Sequence, residues 1–152
     1  VLFRSPVAVI DSTGSTSMTR SLNLSYPLGI LDVQRTLAVC AEDGVAAVII
    51  AMNNATLQRE ALESVNVDVL GSERVAQGED VASLKTRYAF VSDRALALTV
   101  PTGESDELAA ESPAMFDQDR LGHMSLAVAM VLAAGVRRNN VRSALRVANN
   151  LR

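Results

Sequence analysis

The sequence predicts an α/β domain, with a mostly parallel, doubly wound sheet and helices on both faces. Three observations carry that expectation. Hydrophobic residues make up 49% of the 152 and aromatics only 3%, so aliphatic side chains must fill the core. Short β-branched runs at 7–10 (VAVI) and 45–50 (VAAVII) read as buried strands. Ala- and Leu-rich stretches at helical spacing alternate with these runs, and parallel strands require such crossovers. The length suits one domain over 6–152.

Each element follows from local chemistry. Val7–Ile10 is a strand by its continuous apolar character, and Ser12–Ser17 is a loop that opens a helix. Pro27 and Gly29 end that helix. Ile30, Val33, Leu37, Cys40 and Ala41 share one helical face over 30–43, closed by Gly44 as C-terminal cap. Val45–Ala51 is the clearest strand. Asn53 and Asn54 suit the N-cap of a helix over 55–65. Val67–Leu70 is a strand, 71–78 a polar loop, and Asp80 caps a helix running to Arg87. Strands are expected at 88–91 and 95–100. The acidic stretch 101–113 allows a short helix. A strongly apolar helix covers 120–134 and ends at Gly135. Asn139 or Asn140 caps a last helix whose face holds Val141, Leu145, Ala148 and Leu151.

Composition narrows the function classes. Fourteen basic residues against 17 acidic give a net charge of -3, and no basic stripe with interleaved aromatics suggests nucleic acid. The longest strongly apolar stretch, 126–136, is too short to span a bilayer. No signal peptide is legible, which points to the cytoplasm. The single Cys40 excludes an internal disulfide and a cysteine zinc cluster; on its apolar face it reads as a core thiol. No nucleophile–histidine–acid set can be assembled, so no catalytic and no metal-binding residue is assigned. The lone His123 reads as a helix-start residue, and Glu104, Asp106, Glu107 and Glu111 as a solvated face. VLFRS at 1–5 is either a non-native leader, resembling a translated sequencing adapter, or an ordinary strand lead-in.

The stretch from Val7 to Arg20, VAVIDSTGSTSMTR, has the layout of a phosphate-binding strand, loop and helix. Backbone N–H groups around Gly14, with hydroxyls from Thr16 and Ser17, would form an anion site spanning Ser12, Thr13, Gly14, Ser15, Thr16 and Ser17. The lysine of such loops is absent, with Ser15 in its place. Asp11 would repel phosphate, and Asp11-Ser12-Thr13 also suits a plain cap and turn.

Three segments in order carry a family resemblance. DSTGSTS at 11–17 is similar to the G-T-x-G-K-[ST]-[ST] loop of the Mur ligase central, ATP-binding domain, a family that includes cyanophycin synthetase and folylpolyglutamate synthetase relatives. Gly14, Thr16 and Ser17 agree; Asp11 replaces a glycine and Ser15 the lysine. The stretch 47–69 resembles the second segment, with Leu57, Arg59, Glu60 and Leu62 in its Leu-x-Arg-Glu-x-Leu pattern. Ala51 falls where the family has a glutamate, and Ala76 and Gln77 fall near its Asp-His. The helix from Gly122 resembles the Ala-rich pair closing that domain; His123 agrees, while Met124 and Ala127 replace two asparagines.

The resemblance implies an ATP-dependent carboxylate–amine ligase working through an acyl phosphate. That chemistry rests on charge stabilisation by lysine and magnesium ligands. With Ser15 and Ala51 in those places, the expectation is a non-catalytic relative (a pseudoenzyme) serving as a binding or assembly module. ATP and magnesium would bind weakly or not at all. Its partner would be another protein chain or a second copy, with neither nucleic acid nor membrane involved. Two other readings remain open: a fragment of an active ligase whose missing groups lie elsewhere, and an unrelated small α/β anion-binding or regulatory domain.

Overall fold

The computed structural model describes residues 7–17, 20–73, 80–112 and 118–148. The fold is mixed α/β, with five helices and short strands in two sheets among these residues. The expectations for 1–5, Ala76, Gln77 and Leu151 lie outside them. The chain divides into two compact units: 1–65 with 84–91, and 66–83 with 92–152.

The first unit holds a four-stranded sheet. Strand β1 (Val7–Asp11) pairs antiparallel with β2 (Gly14–Ser17), and β2 antiparallel with β3 (Arg20–Leu22). Helix α1 (Ile30–Glu42) leads to β4 (Ala47–Ile50), which lies parallel to β1 with Ala8 opposite Val48 and Ile10 opposite Ile50. The strand order is β3-β2-β1-β4, so the sheet is mixed. This corrects the helix expected after Ser12. Asp11 faces Gly14 across a two-residue turn, and the chain returns along β1 as a hairpin. The ladder formed with Ala8, Val9 and Ile10 satisfies more backbone groups than a capped loop would.

Alternation along β1 sets the core. Ala8 and Ile10 are fully buried, while Val7 and Val9 are exposed on the other face beside Ile49. In α1 the buried residues are Val33, Thr36 and Cys40, the spacing of one helical face. Thr36 spends its hydroxyl within the helix, donating to the Asp32 carbonyl at 2.7 Å. The helix ends as expected at Gly44: its φ is +70°, and Val45 N–H reaches back to the Cys40 carbonyl at 3.0 Å.

The helix expected over 55–65 is instead a chain of turns. Glu60 and Ser64 have φ near +61° and +62°, which no helix continues through. Backbone groups here bond outside the segment: Glu60 N–H donates to the Arg87 carbonyl and Leu62 N–H to that of Tyr88. Burial of Leu57, Ala61 and Leu62 with Tyr88 and Phe90 outweighs local propensity.

The second unit is mainly helical. A two-stranded parallel sheet pairs β5 (Leu70–Gly71) with β6 (Leu98–Thr99). Helix α2 (Val81–Tyr88) is divided between the units; Asp80 caps it by accepting Ser83 N–H at 2.7 Å, as expected. Tyr88 belongs to this helix rather than to a strand. Helices α3 (Gly103–Ala110), α4 (Gln118–Ala133) and α5 (Arg138–Ala148) enclose Leu108, Val128, Val141 and Leu145, with Met124 and Leu132 against them. Thr102 caps α3 reciprocally with Ser105. Helix α5 already runs through Asn139 and Asn140, so neither is its cap.

Candidate functional site

Ligands of open parallel sheets bind beyond the carboxyl ends of the strands. In the first unit those ends belong to β1 and β4, and they finish level: Ala51 N–H donates to the Ile10 carbonyl at 2.9 Å. Asp11 closes β1. Its Oδ1 accepts the Thr13 hydroxyl at 2.5 Å and the Thr13 N–H at 2.8 Å. The hydroxyl first, then the Thr13 and Gly14 backbone N–H groups, hold this carboxyl below the usual aspartate range. The turn that was expected to cradle an anion therefore has two of its donors aimed at its own carboxylate.

Of the six expected anion-site residues, Ser12 and Thr13 form the hairpin turn, and Gly14, Ser15, Thr16 and Ser17 form β2. Ser15 pairs with Ile10 and Leu22 in the ladder, so it occupies no loop position comparable to a phosphate-binding lysine. Gly14 takes φ +157° with open space around it, a requirement of the turn rather than of a ligand's approach.

At the exit of β4, Ala51 offers only a methyl group. Asn53 does what was expected of it as a cap, but for a turn: its Oδ1 accepts Ala55 N–H at 3.0 Å and Thr56 N–H at 2.9 Å. The Thr56 carbonyl accepts Leu28 N–H, Gln58 N–H returns to the Leu28 carbonyl, and Gln58 Nε2 donates to the Pro27 carbonyl at 2.9 Å. Leu57 and Leu62 of the resemblance pattern are core residues, and Arg59 and Glu60 are exposed.

In the second unit His123 is an exposed residue of α4, not its first. Its Nε2 lies 2.9 Å from Oε1 of Glu73, just beyond β5. Sequence reasoning missed this pair, because fifty positions separate residues with no shared motif. Also missed was a buried polar link between α3 and α4. The Ser105 and Ser125 hydroxyls are 2.7 Å apart, and Ser125 donates to Asp106 at 2.6 Å. The link joins two hydroxyls to one carboxylate and fixes one helix on another.

Among the described residues, no three His, Cys, Asp or Glu side chains converge as a metal site would require. Cys40 is buried within α1. No helix among them is long and apolar enough to cross a membrane. No family model, curated protein or solved structure matches the chain.

Proposed function

We propose that this chain is a Mur-ligase-like α/β module that does not catalyse amide formation and serves in binding or assembly. The parallel β1–α1–β4 unit supports the doubly wound, P-loop-like part of that reading. The observation that carries the rest is the paired strand end, where β1 closes on the self-bonded Asp11 carboxylate and the neighbouring β4 exits into Ala51, which carries only a methyl group. A triphosphate there meets a negative charge, and a magnesium ion meets no ligand from Ala51. Loss of one charge-stabilising contact in such chemistry costs roughly 3–4 kcal/mol.

One observation favours a second reading. Ser15 lies in the second strand of the β1–β2 hairpin, which speaks against its standing in a phosphate loop. An active ligase containing this chain would place its phosphate loop in another segment or another chain. The third reading, an anion-binding domain at Ser12–Ser17, is weakened by the same hairpin.

Thermal unfolding and calorimetric titration with ATP, with and without magnesium, test the proposal. The expected result is no heat and no shift in unfolding midpoint up to about 1 mM nucleotide. A ligand at about a hundred times its Kd would add about 2.7 kcal/mol, a shift of several degrees, and that outcome would overturn the reading. ATP-dependent amide formation by any protein that contains this chain would establish the second one.

A further inference from the structure

We draw no further inference here: the strongest candidate, the apolar sheet face of Val7 and Val9 on β1 and Ile49 on β4, carries nothing because nothing in the structure shows what covers it.

Discussion

A β-carbon at Gly71 would come within 2.7 Å of Cγ of Met130, and closer still to its Sδ. Gly71→Ala should therefore destabilise the protein by about 1–3 kcal/mol, the lower end applying if the flexible thioether repacks. A urea midpoint measures this, and Met130→Ala added to it should recover part of the loss. Thr56 is the converse case. Its hydroxyl is fully buried and has no hydrogen-bond partner among the described residues. Thr56→Val keeps the shape and removes the desolvated oxygen, so stability should stay level or rise by up to about 1 kcal/mol. A clear loss would mean that the hydroxyl has a bridging water as partner. Neither residue is conspicuous in the sequence, since steric clearance and hydrogen-bond completion are tertiary properties.

At the scale of elements, the hairpin and the α3–α5 pairing invite separate tests. Gly14→Ala leaves ample room but forces a side chain onto a backbone at φ +157°, at an expected cost of about 1–3 kcal/mol. A loss far below that would mean a turn other than the one described. On α5, Arg142 grips Glu111 with two contacts, Nε to Oε2 at 2.7 Å and a second nitrogen to Oε1 at 3.1 Å. That bonding, and then the nearby guanidinium charges, hold the Glu111 carboxyl below the usual glutamate range. Because its folded-state value is the lower one, the contribution is complete above the ordinary glutamate value. It disappears as pH falls through the depressed value. Arg142→Gln should lose that small contribution at neutral pH and converge with the parent protein in acid, so its acid-side loss of stability is flatter; the pair is solvated, so the difference stays small and salt should mimic the substitution.

Elements with strong local signals were the legible ones. Helix α1 declared itself through its apolar spacing and Gly44, β4 through its unbroken aliphatic run, and the α2 start through Asp80. What misled was Ser12–Ser17. A glycine, hydroxyls and an acid suit a phosphate loop and a tight hairpin turn alike, and only pairing with β1 separates them. The segment 55–65 failed for a related reason: its hydrogen-bond partners, Arg87 and Tyr88, lie too far along the chain for any local pattern to show. At the candidate site, the Asp11–Thr13 turn was legible as the alternative to an anion loop and Asn53 as a capping residue, though neither opens a helix; the Glu73–His123 pair was not legible.

For the whole molecule, the chief consequence is that the first unit is assembled from two separated stretches. Tyr88 and Phe90, each only 1% exposed, belong to its core, and Val91 N–H binds the Val65 carbonyl at 2.9 Å. A polypeptide ending at Val65 should consequently remain unfolded by near-ultraviolet dichroism, and a synthetic 80–91 peptide added in trans should restore part of the signal. A stably folded 1–65 fragment would contradict this assignment. The arrangement also sets a schedule during biosynthesis. A nascent chain emerging from the ribosome cannot complete this unit until residue 91 has cleared the exit. At about 5–20 residues per second, the first stretch waits a second or more for the second, a window in which chaperones would meet its unburied leucine and isoleucine.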